Sequence, residues 1–236
     1  MDHTSEIADG GTTHYAQFAA TDGSLHDTAV FLPDGYHADP ATKLILYLHG
    51  HNIEGFADLR CFIHGSHTQP LRKAVAADGR FALAVPWLQN RSNASHIVAS
   101  TQAFDAFLDS VLGLIGRSQG GVANTGASST TLVLSAHSGG GAPMSAAIML
   151  SSGFIDRVVA TWAFDSMYGS TADTWAGWAK ANPKSDVYVY YTSETARDSG
   201  NLAARAKGLK NVHVAASATG HMDTPPHYFP ELLHRL

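Results

Sequence analysis

Apolar residues along this chain recur with two spacings. Short runs read as strands: Tyr15–Ala19, Thr28–Leu32, Leu44–Leu48, Phe81–Val85, Thr131–Ser135, Val158–Phe164, Val187–Tyr191 and Val212–Ala215. Leu44-Ile45-Leu46-Tyr47-Leu48 is apolar throughout, as expected for a strand covered on both faces. The Asp22-Gly23 pair sets a turn between the first two runs. The second spacing is helical. Phe104, Phe107, Leu108, Val111, Leu112 and Ile115 fall at three- and four-residue steps and predict one apolar face on a helix over about Val98–Ile115. Shorter helices are expected over Pro70–Ala77, Met144–Leu150, Leu202–Lys207 and from about Pro226 to the end. Strands alternating with helices predict an α/β architecture with a mainly parallel sheet.

With 236 residues, 44% of them hydrophobic, the chain can bury a substantial core. No repeat, low-complexity tract or long linker divides it, so residues 14–236 are read as one domain. Residues 1–13 are read as a flexible N-terminal segment. Met1–Gly11 is polar and has no apolar signal-peptide core, which favours a cytoplasmic protein, although a mature exported chain would look the same. The formal charge of −5, with its cations dispersed, leaves no basic footprint for nucleic acid. No apolar run has the length of a membrane span. Cys61 is the only cysteine, so neither an internal disulfide nor a cysteine metal cluster can form.

The candidate chemistry begins at Thr131–Gly141. An apolar strand stops at Ser138, which is flanked by small residues, and a helix-compatible segment follows. Such a turn holds a serine hydroxyl above the edge of a sheet, and its neighbours must be small because the backbone doubles back. Ala136-His137-Ser138-Gly139-Gly140 matches Gly-x-Ser-x-Gly with alanine at the first glycine. A glycine-rich connector without chemistry would look alike at this point. Pro143 cannot donate an early helical hydrogen bond, so the glycines are expected to delay or distort the first turn.

With these residues in view, the chain resembles the α/β-hydrolase superfamily, as a serine esterase or lipase-like member, from about Tyr15 onward. The resemblance implies a twisted, mainly parallel sheet of about eight strands with helices on both faces. It also implies serine, acid and histidine in chain order. The base is expected in the loop after the last strand, where Ala218–Pro225 carries His221. His213 lies within a strand and His227 at a helix start, so both rank below it. For the acid, Asp165 ends the apolar strand that follows the serine motif. Glu194, just past the next strand, is the alternative, with Asp198 further on. The segment Leu48-His49-Gly50-His51-Asn52 is similar to the family's oxyanion loop, which implies backbone donors at His51, Asn52 and Gly139.

Rival chemistries are weaker. His64 with His67, and His49 with His51, could each begin a metal site, but neither pair has the further ligands zinc requires. The Ser138 loop lacks the lysine of a phosphate-binding loop. The expected activity is therefore cleavage of carboxylic esters through an acyl-enzyme, with Ser138, Asp165 and His221 as the catalytic residues and no metal or cofactor. A peptidase or amidase using the same residues, or a binding protein on the same scaffold, remain the alternatives. The expected substrate is a small-molecule or polymer-derived ester, and the sequence says nothing of oligomeric state. About 20 residues separate Asp165 from the strand at Val187, too few for a large lid. Trp162, Tyr168, Trp175 and Trp178 lie in or near that stretch as candidates to line an apolar pocket, although paired tryptophans at helical spacing are more often core.

Overall fold

The central strands alternate their side chains between two separate cores, and this fixes the layer structure. In the computed structural model, which describes residues 3–37, 42–52, 54–121 and 127–236, strand β4 (Thr42–Leu48) sends Leu44, Leu46 and Leu48 to one side. Ile45 and Tyr47 go to the other. A two-residue period with both faces apolar requires a helical layer on each side. Among the described residues the sheet has nine strands. The remainder are β1 (His3–Ala8), β2 (Gly11–Ala19), β3 (Leu25–Pro33), β5 (Ala82–Pro86), β6 (Thr130–His137), β7 (Val158–Phe164), β8 (Asp186–Tyr191) and β9 (Val212–Ala216). Their spatial order is β1-β2-β3-β5-β4-β6-β7-β8-β9. From β5 to β9 every pairing is parallel, and β1, β2 and β3 add an antiparallel edge.

One face carries α3 (Ser95–Val98), α4 (Thr101–Ser118), α5 (Gly141–Ala147), α6 (Ala172–Ala181) and α7 (Ala196–Arg205). The other carries α1 (Leu59–His64), α2 (Gln69–Asp78) and α8 (Thr224–Arg235). The apolar stripe expected on the long helix is the buried face of α4, and Ser100 caps it by accepting a hydrogen bond from the Ala103 N–H at 3.1 Å. Leu46 is fully enclosed in the central strand, and truncating such a leucine to alanine costs about 2–5 kcal/mol.

Three local expectations change. Residues 3–13 are not a flexible segment outside the domain: His3–Ala8 forms β1, paired antiparallel with β2, which itself begins at Gly11. Strand β1 was hidden because His3-Thr4-Ser5-Glu6-Ile7-Ala8 is an exposed edge strand without an apolar face. Helix α5 begins three residues before Met144, with Pro143 inside its first turn, where an unused N–H costs nothing. Trp162, Trp175 and Trp178 are buried in the two cores rather than exposed at a surface. Between β7 and β8 the chain builds only α6.

Candidate active site

The site lies where parallel sheets place their ligands, at the carboxyl ends of the central strands. Strand β6 runs out at His137. Ser138 then adopts φ of +51°, a left-handed conformation that a residue with a side chain rarely takes without a compensating reason. A single 3₁₀ turn over Ser138–Gly140 leads into α5, which is the distorted helix start the glycines implied. Gly140 is strictly required there. A Cβ on it would lie 2.0 Å from the carbonyl oxygen of Leu48 on the neighbouring strand. Ala136, by contrast, packs its methyl group into the core, so the first motif position tolerates it.

Asp165 stands at the end of β7, also with a left-handed backbone, φ +46°. Its N–H donates to the Tyr190 carbonyl at 2.7 Å, which ties the turn to β8. The carboxylate is fully buried. Burial alone would raise its pKa. Donors from His221, Thr192 and Thr195 outweigh burial and hold it down at about 2. The Thr192 N–H reaches Oδ1 at 2.9 Å, and the Thr192 and Thr195 hydroxyls donate to Oδ2 and Oδ1. His221 Nδ1 lies 2.6 Å from Oδ2. An ionised carboxylate can only accept, so Nδ1 carries the proton of that bond and Nε2 of the neutral ring is left as an acceptor.

His221 is held from a second side. Its carbonyl accepts from the Thr224 hydroxyl at 2.8 Å and from His137 Nε2 at 3.1 Å. The rings of His137 and His221 pack with centroids 4.7 Å apart. His137, beside Ser138 in sequence, thus brings the Ser138 turn and the His221 loop together. Burial, with the neighbouring His221 adding to it, lowers the His137 pKa to about 3, so this ring stays neutral.

The segment after β4 is braced in the same way. His49 Nε2 accepts from the Leu88 N–H at 2.8 Å while Nδ1 donates to the Gly50 carbonyl at 2.7 Å. Burial pushes its pKa down to about 4, which suits a ring that must keep one bare nitrogen. The expected donor at Asn52 is corrected here. Its N–H is already bonded to the Asn90 carbonyl at 3.2 Å, and its side chain closes the loop on both the N–H and the carbonyl of Phe56. The His51 ring lies on the face of Gly139 that a side chain would occupy, its Cδ2 2.7 Å from the point where a Cβ would stand.

Of the carboxylates considered, Asp165 bonds His221, Glu194 is exposed beside the Tyr168 phenol, and Asp198 pairs with Arg197 at 3.3 Å. Tyr168 is the one aromatic residue of the four that stays at the site, where its hydroxyl faces Ser138 and Glu194. Burial, then the charges of Asp165 and Glu194, raise its pKa to about 12, so it remains a donor. Sequence reasoning missed His137, Thr192 and Thr195. The only available signal was position, since Thr192 follows β8, where an acid was also sought. His64 pairs with Glu6 and Arg72, and His67 with Glu54, so the two belong to separate contacts. The hollow behind the His49–Asn52 loop is only about 20 Å³.

No family model matches the sequence, and none of the curated proteins is similar to it. Solved structures are. An S-formylglutathione hydrolase from Agrobacterium tumefaciens superposes with a TM-score of 0.67 at 12% identity, over 100% of this chain and 98% of that one. The feruloyl esterase module from Clostridium thermocellum, complexed with sinapinate, gives 0.64 at 16% identity, over 96% and 88%. An isopeptidase gives 0.57 at 13% identity, with this chain spanning 39% of its length. Together with the sheet order and the Ser138 turn, these likenesses define the class: the chain has the α/β-hydrolase fold.

Proposed function

We propose that the protein is a serine hydrolase that cleaves carboxylic esters. Ser138 Oγ attacks the ester carbonyl carbon while His221 Nε2 takes the hydroxyl proton. The tetrahedral oxyanion is held by the backbone N–H groups of His51 and Gly139. Collapse breaks the carbon–oxygen bond, and the alkoxide leaves with the proton from His221. Water, deprotonated by the same ring, then attacks the acyl-Ser138 and releases the acid. Asp165 keeps the proton of the His221 ring on Nδ1 and stabilises the imidazolium.

The observation that carries this reading is the clamp on His221. A fully buried carboxylate, braced by two threonines, holds His221 Nδ1 at 2.6 Å, and His137, the residue before the left-handed Ser138, bonds the His221 carbonyl at 3.1 Å. A scaffold used only for binding has no need of that arrangement. The names of the similar solved structures support ester chemistry as the first assay. The test is turnover of p-nitrophenyl esters of graded acyl length, with matched anilides run beside them to separate ester from amide cleavage. Ser138→Ala is expected to lower kcat by roughly 10⁴–10⁶-fold and to abolish fluorophosphonate labelling while the fold survives. Undiminished turnover in a purified Ser138→Ala variant would overturn the assignment.

A further inference from the structure

The loop after β5 carries a serine whose hydroxyl has no use in the resting fold. Ser92 is 6% exposed, and among the described residues its Oγ, itself shielded from solvent, has no hydrogen-bond partner. Buried hydroxyls are almost always satisfied, so an orphan asks for an explanation. Its backbone is strained as well. Ser92 has φ of +52° and Gln89, three residues earlier, +55°, both in the left-handed region that favours glycine. The place to which this strained turn delivers the hydroxyl is specific. Ser92 Oγ lies 2.7 Å from the point a Cβ on Gly139 would occupy, and His51 Nε2 lies 2.8 Å from the same point. That point adjoins the residue after Ser138, whose N–H faces the developing charge in the proposed reaction.

The loop is also locked to the segment carrying His51. Leu88 N–H donates to the buried His49 ring at 2.8 Å, and Asn52 donates to Asn90 through its N–H and through Nδ2, each at 3.2 Å. Two strained residues and three cross-loop hydrogen bonds therefore fix an unpaired donor beside Gly139. Preorganisation of this kind is what electrostatic stabilisation of a transition state requires, because the donor need not reorient as charge develops.

We propose that the Ser92 hydroxyl donates a hydrogen bond to the carbonyl oxygen of the substrate as that oxygen becomes negative, a third donor beside the His51 and Gly139 amides. This inference rests on the serine hydrolase reading. The hydroxyl gains its missing acceptor only when substrate is bound. The interaction strengthens as the carbonyl oxygen acquires charge, so its loss falls on kcat rather than on KM.

The test compares Ser92→Ala with Ser92→Gly. Both remove the hydroxyl, but glycine accepts the left-handed backbone and alanine does not. A donor role predicts that both variants lose about 10–10²-fold in kcat with KM changed less than about twofold. Both should also label more slowly with a fluorophosphonate, whose phosphoryl oxygen occupies the same position. Wild-type rates in both variants would overturn the proposal, as would a loss confined to Ser92→Ala that follows a lower Tm, since that marks a purely conformational role. Wild-type turnover that depends on Ser138 isolates such a failure from the hydrolase reading. If the wild type labels but turns over no ester, the labelling rate at Ser138 decides the comparison. If it does neither, the hydrolase reading falls and takes this proposal with it.

Discussion

At Asp165, desolvation and hydrogen bonding pull in opposite directions. A fully enclosed carboxylate should prefer its neutral form. The Thr192 amide, two threonine hydroxyls and the His221 ring reverse that preference and keep it charged, at a pKa of about 2. Asp165→Asn preserves the shape but removes the charge, and its amide can present an N–H toward Nδ1, so the ring loses its correct tautomer. The expected loss in kcat is up to about 10⁴-fold, with KM little changed. Glu194→Gln should alter kcat less than severalfold, because that carboxylate meets solvent and the Tyr168 phenol. Steady-state kinetics on both variants, with circular dichroism to confirm folding, checks the pair, and the reverse pattern would make Glu194 the acid. The position of Asp165 was legible because an apolar strand ended on one carboxylate, and the structure brings that carboxylate to His221. Thr192 and Thr195 were not, because hydroxyls brought in from the loop after the next strand leave no local pattern.

The turn from β6 into α5 shows how far a motif can be read at the level of an element. Its two small flanking positions are not equivalent. Ala136 sits in the core, where a methyl group adds contacts, whereas Gly140 presses against the backbone of β4. A carbonyl oxygen 2.0 Å from the added Cβ cannot move without breaking β4 from its neighbours. Gly140→Ala is therefore expected to destabilise the protein by about 1–3 kcal/mol or more and to displace Ser138, lowering both Tm and kcat. Ala136→Gly should cost about 1 kcal/mol through lost burial and added chain entropy, with activity retained. Thermal melts and ester assays of the two variants separate these outcomes. The fully buried strands and α4 were legible because their apolar periods are long and regular. Helices α1 and α3 span 6 and 4 residues, too short to display a helical period. The Asn52 donor failed for another reason: which backbone N–H stays free in a loop depends on the partner loop, here through Asn90.

Over the whole molecule, burial has placed four histidine rings among the described residues, His14, His49, His96 and His137, where a positive charge is costly. His49 and His96 have pKa values lowered to about 4, and His137 to about 3, with desolvation the largest cause in each. For His96 the neighbouring His26, stacked at 3.7 Å, adds to it. In the unfolded chain these rings titrate at their ordinary value near 6.5. Between that pH and about 4 the unfolded state therefore binds more protons than the folded one, and stability falls as the pH is lowered. Their contribution is complete above about pH 6.5. Each fully buried ring then costs about 1 kcal/mol per pH unit on the way down, and the partly exposed His96 costs less. Asp165 acts in a lower window. Its pKa is depressed to about 2, so its contribution is present above the ordinary carboxylate range and is lost only as pH falls toward 2. Melting curves from pH 8 to pH 4.5 should show a plateau above about pH 7 and a progressive fall below it, before carboxylates begin to protonate. His137→Gln keeps a side-chain donor for the His221 carbonyl and removes one titrating ring, so it should flatten the slope of stability against pH by about one proton. An unchanged slope in that variant, or a Tm constant from pH 7 to pH 5, would mean that these rings accept protons without leaving the fold.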